Sequence, residues 1–245
     1  MTRVVRLESV DSTQASAFDL AADGAEDRTV VVADYQAAGR GRRGRTWEAS
    51  PGQGLLATIL VRPRLAHAQW PAYSLATAVA VAEALARSAA LAARLKWPND
   101  VLIRGRKIAG ILLESRIAAG STTAAVAIGI GVNLGQRAFP AALAARATSV
   151  AIEAGRVVSR DAMLATLLDA FDEWRARLEG EGMAAVRARW LALADTIGRR
   201  VSIDGVSGVA VDLDPDGALV LADGPRRHRV VAGEVAEEAD HAARP

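Results

Sequence analysis

The chain is 245 residues long, 51% hydrophobic and 24% charged, with a formal net charge of +2 and no cysteine. That length accommodates one well-buried catalytic domain with a small appendage or a single large domain, and a charge so close to balance gives no argument for a nucleic-acid partner. The lack of cysteine excludes a disulfide framework, a thiolate metal site and a cysteine nucleophile, and it fits a reducing cytoplasm.

Residues 4–7, with Val4, Val5 and Leu7, read as a short strand and lack the apolar core of a signal peptide. Ser12 and Thr13 stand where an N-cap would open a helix over residues 14–22, which Gly24 ends. The β-branched run 29–33 is a second strand, and a long loop over 35–53 leads to a clear strand at 55–61. Residues 71–90 are apolar on all sides and rich in helix formers, which predicts a buried helix; Glu83 and Arg87 interrupt it, so it falls short of the roughly 20 apolar residues that span a bilayer.

A strand follows at 94–97, stopped by Pro98, and segments 101–103 and 108–114 flank Arg104-Gly105-Arg106-Lys107, which reads as a hairpin turn. Residues 124–134 form another strand, studded with Gly129 and Gly131. From 161 to 190 the apolar residues recur at three and four, with a break at 179–182. Beyond residue 195 the pattern changes to short strands at 200–203, 206–213, 218–221 and 229–231, separated by Asp204-Gly205, Asp216-Gly217 and Asp223-Gly224 turns. This is a small all-β, barrel-like module, and the chain carries no internal repeat.

The loop at 35–53 holds the chemistry. Gly39, Gly41 and Gly44 satisfy the dinucleotide fingerprint G-x-G-x-x-G, but that mechanism needs a helix to begin at the third glycine, and here Gly44 is followed by Arg45-Thr46-Trp47-Glu48 and Pro51. A Rossmann site is therefore rejected. What remains is Arg40, Arg42, Arg43 and Arg45 crowded among glycines that let backbone approach a ligand. Four mutually repelling guanidiniums predict a loop that is unsettled until anions arrive, and a triphosphate or a carboxylate beside a phosphate suits them. A solvated basic surface loop and a nucleic-acid patch, with Trp47 stacking on a base, are the competing readings. His67, His228 and His241 are scattered without zinc spacing, and no G-x-S-x-G elbow is present.

With its flanks, the segment from Asp34-Tyr35-Gln36 through Gly39 to Trp47 resembles the signature loop of biotin protein ligases, G-R-G-R-x-G-R-x-W. Asp11-Ser12-Thr13, Lys96-Trp97-Pro98-Asn99-Asp100-Val101, Lys107-Ile108-Ala109-Gly110 and Gly129-Ile130-Gly131-Val132-Asn133 agree with that family in order and spacing. The resemblance implies an α+β fold: a mixed-sheet catalytic domain of the biotin/lipoate ligase type over 1–194, a small SH3-like β-barrel over 195–238 and a disordered tail at 239–245. It implies activation of biotin with ATP and Mg²⁺ to biotinyl-5'-AMP, then transfer to a lysine on the biotin carboxyl carrier domain of an acyl-CoA carboxylase, in the cytoplasm. No membrane and no DNA partner are expected, since the chain begins directly with the catalytic strand where regulatory relatives carry a helix-turn-helix domain. Monomer and homodimer both stay open.

By the same resemblance Ser12, Thr13 and Gln36 hold the ureido ring of biotin, with Gly129 and Gly131 lining its pocket. Arg40, Gly41 and Arg42 close over its carboxylate and the adenylate phosphate, and Lys107 reaches both. Arg45, Trp47, Lys96, Gly110 and Asn133 lie around the adenylate, while Asn99 and Asp100 lie near magnesium and the incoming lysine, with Asp100 as the candidate base. Gln14 departs from the asparagine common in the family and is expected to be a peripheral biotin contact. Each residue also has a plain structural reading: Ser12-Thr13 as an N-cap, Asp100 as a turn cap, Lys107 as a solvated hairpin lysine, Asn133 as a strand-end turn residue. The rival enzyme is a lipoate or octanoate ligase or transferase of the same fold.

Overall fold

In a computed structural model, residues 3–117 and 124–237 are described. The predicted disordered tail lies outside the described residues. The chain runs β1 (Val4–Val10), α1 (Thr13–Ala22), β2 (Val30–Gln36), β3 (Gly54–Val61), α2 (Pro71–Ala89), β4 (Arg94–Lys96), β5 (Asp100–Ile103), β6 (Arg106–Ile117) and β7 (Ala124–Asn133). It continues with α3 (Ala141–Ala144), α4 (Val150–Glu153), α5 (Arg160–Glu181), α6 (Met183–Leu193), β8 (Arg200–Ile203), β9 (Val206–Leu213), β10 (Leu219–Asp223), β11 (Arg226–Val230) and β12 (Ala236–Glu237). Strands β1 to β7 form one mixed sheet in the order β1-β2-β3-β7-β6-β5-β4, with β1 parallel to β2 and the other pairs antiparallel.

Period-two alternation gives the sheet two different faces. On β7, Val126, Ile128, Ile130 and Val132 enter the main core beside Leu55, Ala57, Ile59 and Val61 of β3. The intervening Ala127, Gly129 and Gly131 line the opposite face, where Phe18 of α1 packs over Leu60, Ala125 and Ala127 in a smaller cluster. Helix α2 lies on the main-core face together with α5 and α6, so it is buried along most of its length. Its many alanines let the backbones approach closely. The glycines on this face let Gln14 and the Trp47 indole lie close against the sheet, and that stretch carries the candidate site.

The helical stretch breaks at Gly182, as its sequence predicts, with φ of 75°. The hairpin turns at Arg104-Gly105 and Asp204-Gly205 place both central residues at positive φ, the geometry that matches the twist of the flanking strands. Three features depart from the sequence reading. The last long strand is shifted to β11, the two-residue β12 closes against β8, and the short helices α3 and α4 occupy a stretch without predicted structure. Elements this short carry no periodicity to read. The C-terminal strands form an antiparallel sheet, β11-β10-β9-β8-β12, whose Val201, Ile203, Leu213, Leu219 and Leu221 are continuous with the main core. It is fastened to the segment between β4 and β5 where Trp97 Nε1 donates to Gly217 O at 3.1 Å and Thr196 Oγ1 accepts from Trp97 N at 3.0 Å. Among the described residues no helix is long and apolar enough to cross a membrane.

Candidate active site

At one end of this glycine-lined stretch, the start of α1 meets β2. The Ser12 hydroxyl caps the helix by accepting from Gln14 N at 3.3 Å. Thr13 donates to Gln36 Oε1 through its backbone N at 2.8 Å and its hydroxyl at 3.0 Å, and Thr58 of β3 donates to Thr13 Oγ1 at 2.8 Å. The structure thus brings Ser12, Thr13 and Gln36 together as the sequence predicts. Gln14 is buried: its amide donates to Leu112 O at 3.0 Å and Ala127 O at 3.3 Å, and its side chain lies over Gly129. The longer side chain reaches across the sheet surface to carbonyls on β6 and β7, which explains why it sinks into the fold.

The arginine loop is a folded hairpin. Trp47 N donates to Gly39 O at 2.9 Å and Gly41 N to Arg45 O at 2.7 Å, around a 3-10 turn at Arg42–Gly44. No α-helix follows Gly44, in keeping with the rejected Rossmann site. The expectation of a loop unsettled by its own charge is corrected. Arg40 pairs with Glu114 of β6 at 2.7 Å, Arg43 with Asp204, and Arg45 with Glu234 at 2.5 Å. Arg42 donates to Gly233 O at 3.2 Å and Asn99 Oδ1 at 3.4 Å. Acids from two sheets separate the guanidiniums, so repulsion no longer dominates. Partial burial, followed by the neighbouring Arg43, lowers the Arg42 pKa, while Asp100 opposes the shift; the hydrogen bond to Asp204 raises that of Arg43.

Beneath the loop, Trp47 lies flat on the glycine floor. A Cβ at Gly131 would strike the indole, and one at Gly110 would touch both Trp47 and Lys107. The Lys107 ammonium is 5.6 Å from the Trp47 ring centroid and 2.6 Å from Asp100 Oδ1. Asn99 donates through Nδ2 to Ile111 O at 2.7 Å, so the turn after Pro98 is tied to β6. Lys96 stands opposite Asp100 in the β4–β5 pair. Trp47 Nε1 is buried against the Gly131 floor without a hydrogen-bond partner, an uncommon state for a buried donor.

Lys107, Arg42, Trp47, Asn99, Asp100, Gly110 and Gly131 therefore form one linked group. Asn133 stands at its margin with its amide already engaged, donating to Thr148 O at 3.0 Å and accepting from Gln136 Nε2 at 3.2 Å. Sequence reasoning missed Glu114, Asp204, Gly233 and Glu234, the partners of the arginines. Asp204 was legible only as a turn residue. Among the described residues no group of three or more His, Cys, Asp or Glu is arranged to hold a metal. Asp100 offers one carboxylate beside Lys107 and Arg42, a donor set that fits Mg²⁺ carried on a nucleotide rather than an ion held by the protein alone.

Residues 7–133 match the model of the Biotin/lipoate A/B protein ligase family. The chain is 41% identical over 241 residues to the biotin--[acetyl-CoA-carboxylase] ligase of Paracoccus denitrificans, covering 94% of this chain and 98% of that protein. It is 37% identical to the enzyme of the same name from Mycobacterium tuberculosis, covering 91% and 85%. Among solved structures, biotin protein ligase from Aquifex aeolicus in complex with biotin and ATP superposes with a TM-score of 0.85 at 27% identity, over 96% of this chain and 98% of that one. A family model spanning more than half of the chain and relatives alike over nearly their whole length lead to one conclusion: the chain belongs to the biotin/lipoate A/B protein ligase family.

Proposed function

We propose that this chain activates biotin with ATP to biotinyl-5'-AMP and transfers the biotin to a lysine on the biotin carboxyl carrier domain of an acyl-CoA carboxylase. The observation that carries the reading is that Lys107 and Trp47 meet over the Gly110–Gly131 floor while Arg42 reaches Asn99 beside the Asp100 that pairs with Lys107, in a chain whose similar relatives are biotin ligases. Lipoate is the sister substrate of the family, and the likeness to biotin enzymes over the whole chain favours biotin.

In the first step a biotin carboxylate oxygen attacks the α-phosphorus of ATP; a C–O–P linkage forms and pyrophosphate leaves. Two anions must meet, so the protein's contribution is positive charge and alignment. Lys107 supplies a focused charge at the reacting phosphate, Arg40 and Arg42 cover the carboxylate and phosphate, and Arg45 lies further along the phosphate path. Mg²⁺, when bound to ATP, offsets phosphate charge, with Asp100 as its protein ligand. Ser12, Thr13, Gln14 and Gln36 surround the ureido end, Gly129 makes room for the Gln14 side chain at that end, and Lys96, Asn99 and Asn133 border the nucleotide.

In the second step the carrier amine attacks the acyl carbon of the anhydride and AMP leaves. A lysine amine, with a reference pKa near ~10.4, must lose a proton to attack, and Asp100 provides both a negative potential and an acceptor. Trp47 and the hairpin shield the anhydride from water. We read residues 1–194 as the catalytic domain and 195–238 as an SH3-like barrel whose Asp204, Gly233 and Glu234 face the arginine loop. The absence of cysteine fits action in the cytoplasm.

The test is incubation with biotin, ATP, Mg²⁺ and a biotin carrier domain, followed by intact mass spectrometry, with lipoate and octanoate in parallel. The expected result is a gain of one biotin, slowed on the order of 100-fold but still measurable in Lys107→Ala or Arg42→Ala. A gain with lipoate alone would move the chain to the sister activity, and no gain with any acid would sink the reading.

A further inference from the structure

A buried carboxylate outside the group described above bears on Lys107. Glu153, at the end of α4, has a side chain only 1% exposed, yet it takes no part in the chemistry just set out. Its Oε1 accepts from Arg106 Nη2 at 2.6 Å and from the Thr148 hydroxyl at 2.6 Å, and its Oε2 lies 3.6 Å from Arg104 Nη1. Burying a carboxylate is costly unless it is paired and hydrogen-bonded, and here both conditions are met.

What those partners hold is the backbone of Lys107. The β5–β6 register slips between Val101 and Leu102, pairing them with Ala109 and Lys107, so Ile108 is the extra residue of a bulge. Lys107 next to the bulge turns outward to a third segment. Its N donates to Arg146 O at 2.8 Å, and its O accepts from Thr148 N at 2.9 Å, a parallel bridge to residues 146–148. The same short segment carries Thr148 O, which accepts from Asn133 Nδ2 at 3.0 Å. Beyond it, Ser149 caps α4 by accepting from Ile152 N at 3.2 Å, and Ala151 N donates to Leu134 O at 2.8 Å. One stretch of chain thus staples Lys107 on β6 to the end of β7, and its side-chain anchor is Glu153.

We propose that Glu153, acting through Thr148 and Arg106, is a positioning residue that fixes the height of Lys107 over the glycine floor. The proposal rests on the reading of Lys107 as the charge at the reacting phosphate. Beside the bulge the regular ladder is interrupted, so the place of Lys107 is set also by its bridge to residues 146–148. The Thr148 amide and hydroxyl do this at one point, and the Glu153–Arg106 pair stops the segment from sliding along β6. Asn133, tied to the same Thr148, is set by the same anchor.

The experiment is a double-mutant cycle on the single-turnover rate of biotinyl-5'-AMP formation at saturating biotin and ATP. Glu153→Ala and, as an isosteric second probe that keeps the fold, Thr148→Val are each made in the native chain and in Lys107→Ala. In the native background Glu153→Ala is expected to lower the rate on the order of tenfold and Thr148→Val about threefold, the scale of a small misplacement of a catalytic group. In the Lys107→Ala background neither should lower it further, because the group being positioned is gone. Glu153→Gln, which keeps an acceptor for Thr148, should recover part of the loss. Equal losses in both backgrounds, or a lowered melting temperature with an unchanged rate in the native background, would overturn the proposal. Should Lys107→Ala itself leave the rate unchanged, the reading of Lys107 fails instead, an outcome the cycle separates from the first.

Discussion

The floor of the site and the loop above it are held by different forces. Gly110, Gly129 and Gly131 lie in a ladder that runs unbroken from Gly54↔Asn133 to Val61↔Val126 on one side and from Ala109↔Val132 to Ile117↔Ala124 on the other, with a close-packed core beneath. The loop from Gly39 to Trp47 has two backbone hydrogen bonds across its neck, rests its Trp47 end on the floor, and along its outer side is held by guanidinium pairs whose side chains are 40–55% exposed for Arg40, Arg43 and Arg45. Backbone ladders and packing define position to fractions of an ångström and are indifferent to salt. Exposed ion pairs are weak singly and screened by salt, so they bias a loop without locking it. A ligase that must admit two anions and then shut water out is served by that division: a fixed floor on which to align the reacting atoms, and a cover whose charges can trade one set of carboxylates for another.

The sharpest way to break the comparison is to put a side chain on the floor. At Gly131 a Cβ meets the Trp47 indole. Gly131→Val keeps a good strand former in β7, and the strand should survive, but the indole must leave its place. Biotin affinity, read by isothermal titration, is expected to fall on the order of 100-fold, the cost of misplacing the reacting groups by about an ångström. Affinity within twofold of the native chain would show that the floor is not what aligns the ligand.

Next in size is the residue that ties the floor to α1. Gln14→Leu fills a similar volume but removes the donors to Leu112 O and Ala127 O. Leaving buried acceptors unpaired costs about 1–3 kcal/mol, so the urea midpoint should drop with an unchanged slope. A loss under about 0.5 kcal/mol, the range of ordinary surface changes, would mean that the amide bridge contributes nothing to the floor.

The same contrast explains what could be read from the sequence. The floor is a local pattern: Ile128-Gly129-Ile130-Gly131-Val132 announces a strand with one large and one bare face, and Asp204-Gly205 announces a tight turn. The arginine-rich hairpin was legible as a candidate anion site because its charge and glycines are contiguous. Its partners were not, since Arg43 meets Asp204 and Arg45 meets Glu234 only after two sheets have packed, and nothing in either segment marks the other. Glu153 and Thr148 escaped for a related reason. They sit in a four-residue helix and the turn before it, too short for any period, and their importance comes from a bulge two elements away. The reach of Gln14 across β6 and β7 was not legible either, because it depends on the bare face that Gly129 provides.

The smallest expected effect tests the cover. Asp204→Asn combined with Glu234→Gln removes the partners of Arg43 and Arg45 and leaves Arg42 on Gly233 O. Two consequences oppose each other. The freed arginines no longer have to abandon a carboxylate to meet a phosphate, which lowers KM for ATP; the hairpin must also be ordered at the moment of binding, which raises it. The released carboxylates sit near half exposure, so water compensates most of what the arginines lose on leaving them, and the first term is small. Ordering wins, and KM for ATP at low ionic strength should rise about threefold, corresponding to roughly 0.6 kcal/mol, with kcat unchanged because the floor is untouched. At about 1 M salt, where the screening length falls to about 3 Å, native and variant chains should converge, the native losing what the variant already lacks. A difference that persists undiminished at high salt would show that the loop is held by packing, as the floor is, and the distinction between the two regions would fall.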